Sequence, residues 1–406
     1  MSRATGAPVR FGVLRLADSA PAVVAVQRGL FRELGIHVDL SVEASWANIA
    51  DKLAYGLLDA ASMLPPLALA ASLGLRGPPG RLLVPMGLSA GGNTIAVGHA
   101  AAAAVSGGSA PSDAPVDAPV DAPVDAPVGG ALEVGRRFGA WLRAQPMPPR
   151  FAVVHAFSTH NLLLRYWLEA SGVDPDRDLS AVVIPPEQVE PALADGHIAG
   201  FCAGGPWGEL AAERGSGRVL LGTSSIWGSH PEKCLAVAEP WAVANPAALN
   251  ALLRGLLQAQ RICEQADAAP EVGRWLAAPP LELPFAASRA CLPGGAATER
   301  IRFHAGAVWF PWRSHAAWFL EQMRRWGWLD AGTDVVQAAH RVYRPDLLAA
   351  AAADEGLPWP DVDSKAEGAH CAGWAQPGRP VALEMSGDQF CDCSVFDQNG
   401  KIVTIN

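Results

Sequence analysis

Between residues 9 and 203, short apolar or β-branched runs alternate with runs of helical periodicity, and few architectures accommodate that alternation. Residues 9–16, 37–43, 82–86, 94–97, 151–157, 181–184 and 198–203 read as strands. Residues 21–34, 46–58, 67–73, 132–143, 160–170 and 189–195 read as helices. Inside 46–58, Ile49, Leu53 and Leu57 recur every fourth position and give that helix one apolar face. Such alternation implies an α/β fold with a mainly parallel sheet covered by helices on both sides. Past about residue 240 the pattern turns mostly helical, with 246–266 and 315–328 the longest candidates.

One segment belongs to no core. Residues 113–128 read DAPVDAPVDAPVDAPV, and a proline at every fourth position precludes a helix or a central strand. Residues 101–130 are therefore expected to be a low-complexity insertion in a surface loop. Residues 348–406 are expected to be a C-terminal tail, of which residues 362–406, rich in Gly, Asp and Cys, read as loosely structured. Four of the seven cysteines (Cys202, Cys234, Cys263 and Cys291) lie scattered in apolar segments, as buried thiols do. The spacing of Cys391 and Cys393 admits a metal, but no second such pair accompanies it, so neither metal nor cofactor is expected. The net charge of −9 and the absence of a basic stripe argue against direct binding of nucleic acid. Arg10 and Arg15 interrupt the first apolar run, which argues against a secretory leader, and a cytoplasmic location is expected.

Open α/β sheets bind ligands beyond the carboxyl ends of their strands, where helix N-termini offer free N–H groups to anions. Two junctions stand out. In the first, Ser45 can cap the helix that opens with Trp46; in the second, Ser158 or Thr159 can cap the helix that carries His160 in its first turn. If both face one cleft, it is lined by an indole, an imidazole and two sets of backbone donors, with no carboxylate expected there. Taken singly, Trp46 is an ordinary core aromatic, His160 a hydrogen-bonded helix residue, Lys233 a solvated lysine and Gly204 a turn glycine. No nucleophile elbow, phosphate loop, zinc helix or dinucleotide fingerprint is present, which favours a binding protein over an enzyme.

Longer strings carry a resemblance. "EASWANIADKLAYGLLDAASMLPPLALAASLGL", "STHNLLLRYWLEASGVDPDRD", "GFCAGGPW" and "FPWRSHAAWFLEQMRRWGWLD" closely resemble the nitrate-binding proteins of ABC importers and their relatives, over about residues 9–347. The resemblance implies a type II periplasmic-binding-protein fold, with two α/β lobes around a hinged cleft. It places residues 9–98 and 224–347 in lobe 1 and 131–223 in lobe 2. It also implies a ligand set: Trp46 as the platform for a flat anion, the side-chain amide of Asn93, His160, Gly204, and Lys233 as compensating charge beside a protonatable His160. Bicarbonate-binding relatives have an acidic residue at the lysine position, so Lys233 points to nitrate or nitrite.

The string "AFSTHN" and the lack of a leader resemble the cytosolic branch of the family. That branch implies a nitrate/nitrite sensor that controls an RNA-binding antiterminator of nitrate assimilation through ligand-driven lobe closure. The alternative is the solute-binding component of an ABC importer for nitrate, bicarbonate or a sulfonate, periplasmic and partnered by a permease.

Overall fold

The computed structural model describes residues 7–76, 80–106, 130–397 and 402–404; the DAPV repeats lie outside these. The principal strands are β1 (Val9–Val13), β2 (Val38–Val42), β3 (Ala60–Met63), β4 (Leu82–Gly91), β5 (Asn93–Val97), β6 (Arg150–Val153), β7 (Ser180–Val183), β8 (Gly200–Gly204), β9 (Arg218–Gly222), β10 (Pro231–Ala238) and β11 (Ile301–Arg302). They form a six-stranded sheet in the order β11-β4-β10-β3-β1-β2 and a five-stranded sheet in the order β7-β6-β8-β5-β9. The α/β class and the two-lobed arrangement expected from the resemblance are present.

The sheets are mixed rather than mainly parallel. β1 runs parallel to β2 and β3, and β6 parallel to β7 and β8, as strand–helix–strand units require. β10 is antiparallel to β3 and β4, and β5 is antiparallel to β8 and β9. These two strands bring the chain from one sheet into the other and enter reversed.

The first passage between sheets falls at Gly91 and Gly92, ahead of residue 98. Both glycines have positive φ, +65° and +83°, a backbone region that side chains disfavour. Asn93–Val97 therefore belongs to the second sheet. The second passage, residues 223–230, returns the chain to β10. Glu299 fastens the two together: its carboxylate accepts the Gly92 N–H at 3.0 Å and the Ser224 hydroxyl.

Some helices cover the sheets through a single apolar face, while others, such as Pro65–Ser72, are buried on nearly every side. Trp46–Ala54 buries Trp46, Ile49, Ala50 and Leu53, and Pro246–Glu264 buries Leu249, Leu252, Leu253, Leu256 and Leu257. The expected helix 21–34 is two helices, Ala20–Gln27 and Leu30–Glu33, because Gly29 between them sits at φ +73°. The region beyond residue 348 is not a loose tail. After the helix Ala349–Asp354, the part expected to be loose holds short antiparallel pairs such as Trp374–Gln376 with Leu383–Met385. Glu367, Phe390 and Phe396 within it are buried. Its anchors are isolated residues in polar sequence, so no apolar periodicity announces them.

Candidate ligand site between the sheets

Local chemistry sets each predicted residue in place. At the end of β2, Ser45 is extended and its hydroxyl accepts the Asn48 N–H at 3.1 Å, so the helix starts at Trp46. At the end of β6, Ser158 accepts the Asn161 N–H at 3.0 Å and starts the helix Thr159–Ala170, which fixes His160 in its first turn. Asn93 opens β5 and pairs in register with Gly204, the last residue of β8. A Cβ on Gly204 would stand 3.3 Å from Asn93 Oδ1 and 3.5 Å from Asp18 Oδ2, so the bare backbone lets these groups crowd together.

Lys233 lies on β10, where the register against β4 shifts between Pro231 and Lys233 and again between Lys233 and Cys234. In a regular strand, neighbours point to opposite faces. The bulge lets Glu232 and Lys233 share one side. Glu232 Oε1 stands 2.6 Å from Lys233 Nζ, and Glu232 Oε2 accepts from Asn93 Nδ2 at 2.5 Å. Asp18, in the turn after β1, reaches Lys233 Nζ at 2.8 Å. The ammonium lies 5.4 Å from the centroid of the Trp46 ring, and His160 Nε2 lies 3.4 Å from Glu232 Oε1.

All five residues that the resemblance implies thus surround one point in the closed cleft, where Asn93, His160, Glu232 and Lys233 are 0% exposed. Contacts between the lobes seal it: the Ala17 N–H bonds the Gly205 carbonyl at 2.9 Å, and the Trp207 indole N–H bonds the Arg15 carbonyl at 3.2 Å.

Two expectations need correction. The site does contain carboxylates, Asp18 and Glu232. Asp18 lies in a single 3-10 turn, Ala17–Ser19, between β1 and the helix Ala20–Gln27 and caps no helix, so the capping signal that marks Ser45 and Ser158 does not mark it. Glu232 comes round only through the bulge, which strict strand alternation hides. Nor does His160 supply charge. Burial, and then the nearby Lys233 and His230, hold its imidazole well below the ordinary value, so it is neutral.

Burial alone would lower the Lys233 ammonium, yet Asp18 and Glu232 beside it lift it above the ordinary lysine value. Burial pushes Glu232 up to about 7 despite the opposing pull of Lys233 and Asn93. Several buried polar atoms here have no hydrogen-bond partner in the chain: Trp46 Nε1, Asn93 Oδ1, Asp18 Oδ1 and both His160 ring nitrogens. Buried polar groups are ordinarily satisfied, so an unpartnered set around one point marks a place for a small polar ligand. Among the described residues, no group of three or more His, Cys, Asp or Glu side chains is arranged to hold a metal ion.

Two mixed sheets joined by two passages, with polar groups from both meeting in the cleft, define a two-lobed ligand-binding protein of the type II periplasmic-binding-protein architecture. The chain belongs to the NMT1-like family, which it matches over residues 3–277. It is 32% identical over 367 residues to the nitrate import ATP-binding protein NrtC of Synechocystis, a match covering 87% of this chain but 50% of that protein, so it spans about half the relative's length. It is 30% identical over 363 residues to the nitrate/nitrite binding protein NrtA of Synechococcus elongatus, covering 85% of this chain and 77% of the relative. The crystal structure of the periplasmic nitrate-binding protein NrtA from Synechocystis superposes with a TM-score of 0.77 at 25% identity, covering 96% of this chain and 95% of that one.

Proposed function

We propose that this protein binds nitrate or nitrite between its lobes and serves as the solute-binding component of an ABC-type importer, with a permease and an ATP-binding subunit as partners. One observation carries the ligand reading: Trp46, Asn93, His160, Gly204 and Lys233, drawn from both lobes, converge on one buried point. An indole face suits a flat, weakly hydrated anion, Lys233 and the Asn93 amide are donors, and two helix N-termini add partial positive charge. The names of the similar proteins support importer membership. They lend no support to the sensor reading or to an antiterminator partner.

The test is calorimetric titration of the full chain with nitrate, nitrite, bicarbonate and sulfate at about pH 6, beside a Trp46→Ala variant. Nitrate or nitrite binds, sulfate does not, and the variant binds about tenfold more weakly. Folded protein that takes up bicarbonate but neither nitrogen oxyanion would overturn the ligand assignment.

A further inference from the structure

Glu232 occupies the position an anion would want. Its carboxylate is planar, delocalised and singly charged, like nitrate or nitrite, and it takes the donors assigned to the ligand. One oxygen accepts from Asn93 Nδ2 at 2.5 Å; the other lies 2.6 Å from Lys233 Nζ and 3.4 Å from His160 Nε2. The residue is 0% exposed, so no solvent screens a second negative charge brought beside it.

The surrounding groups leave little positive charge to share. From β10 itself comes Lys233, already paired at 2.8 Å with Asp18 from the turn after β1. His160 faces Glu232 from the helix Thr159–Ala170, and His230 Nδ1, on the second passage, stands 3.9 Å from Glu232 Oε2. Burial holds both imidazoles neutral. The thiols of Cys202 on β8 and Cys234 on β10 are pushed up by burial and carry no charge. Asn93 and Trp46 are uncharged. One ammonium therefore faces two carboxylates before any ligand arrives.

Resting on the nitrate/nitrite reading above, we propose that Glu232 is the selectivity residue of this site, and that above neutral pH each anion bound brings one proton from solvent onto a Glu232 oxygen. Ionised, Glu232 competes for Asn93 and Lys233; protonated, it releases the ammonium and becomes a donor to the anion. No other bond is made or broken. A doubly charged anion gains nothing comparable, because one proton on Glu232 leaves its second charge beside Asp18. The carboxyl already sits near about 7, so the proton is available close to neutrality.

Nitrate stays ionised throughout the working range, so any pH dependence of its binding belongs to the protein. Titrate the full chain and Glu232→Gln with nitrate between about pH 6 and about pH 8.5, in two buffers of different ionisation enthalpy. Wild-type Kd rises roughly tenfold per pH unit above about 7, with close to one proton taken up per nitrate there, while the variant binds with flat pH dependence. Binding by wild type without pH dependence or proton uptake overturns the inference and leaves the nitrate reading standing. So does a Glu232→Gln variant that keeps the wild-type slope. If Glu232→Gln does not fold, the proton count of the wild type still decides. If neither protein binds nitrate even at about pH 6, the ligand reading itself falls, and this inference with it.

Discussion

Lys233 is the one cation in a buried cluster that also holds Asp18, Glu232, Asn93, His160 and Trp46. Removing one partner of a buried ion pair leaves the other uncompensated, which costs far more than the pair itself contributes. Lys233→Gln is therefore expected to lower stability by about 3–5 kcal/mol in denaturant unfolding, and to abolish anion binding. Adding Glu232→Gln on that background removes one stranded carboxylate and should restore at least about 1 kcal/mol. Strictly additive losses would show that the two side chains are not coupled. At this scale, the resemblance pointed to five residues and the cap signals placed two of them. Ser45 and Ser158 do begin the helices that present Trp46 and His160. The charges were misread because a residue's charge depends on neighbours supplied by other strands. His160 looks like a proton carrier in sequence and is neutral in the fold, while Glu232, which no sequence signal singles out, is buried beside the lysine.

The elements that matter most are the two passages between sheets, and they are held by packing as well as hydrogen bonds. A Cβ on Gly222 would lie 2.0 Å from Glu299 Oε2 and 2.8 Å from Glu299 Cβ. That carboxylate is already engaged by the Gly92 N–H and the Ser224 hydroxyl, so it has little freedom to move aside. Gly222→Ala should accordingly destabilise the protein by about 1–3 kcal/mol, as overpacking does, read as a lowered denaturant midpoint. An unchanged midpoint would mean that Glu299 yields freely and does not fasten the passages. Existence and type were legible for the long helices, where residues 132–143 and 246–266 emerge as Gly130–Arg143 and Pro246–Glu264, but the strands β3, β9 and β10 went unread. Strand direction was not. Apolar alternation reads the same in either direction, so the reversed entry of β5 and β10 and the bulge at Lys233 depend on partners distant in sequence.

For the molecule as a whole, the C-terminal region clasps both lobes, and it was the least legible part of the chain. The Phe390 ring packs 5.0 Å from Trp227 on the second passage, 5.4 Å from Tyr166 of lobe 2 and 5.8 Å from Trp318 on the helix Arg313–Arg325. Beside it the Tyr166 hydroxyl donates to Asp392 at 2.9 Å, and the Cys391 N–H bonds the Ile226 carbonyl at 2.8 Å. A second anchor is a buried ionic group in which Lys365 contacts Glu367 and Asp388, with His315 3.3 Å from Glu367. The Phe390 and Cys391 contacts fall on Trp227 and Ile226 in the segment connecting β9 to β10, so the clasp restrains the joint between the sheets as well as its own strands. Phe390→Ala removes a buried aromatic, which costs about 3–5 kcal/mol at such positions. The informative readout is amide hydrogen exchange in the ligand-free protein, because it reports where the loosening spreads. Faster exchange in residues 223–230 and at the start of the helix Thr159–Ala170, with the outer strands β2 and β7 unaffected, is the result expected if the C-terminal region sets lobe closure. Exchange that quickens only within residues 356–397 would reduce that region to a cover packed on a joint that holds itself.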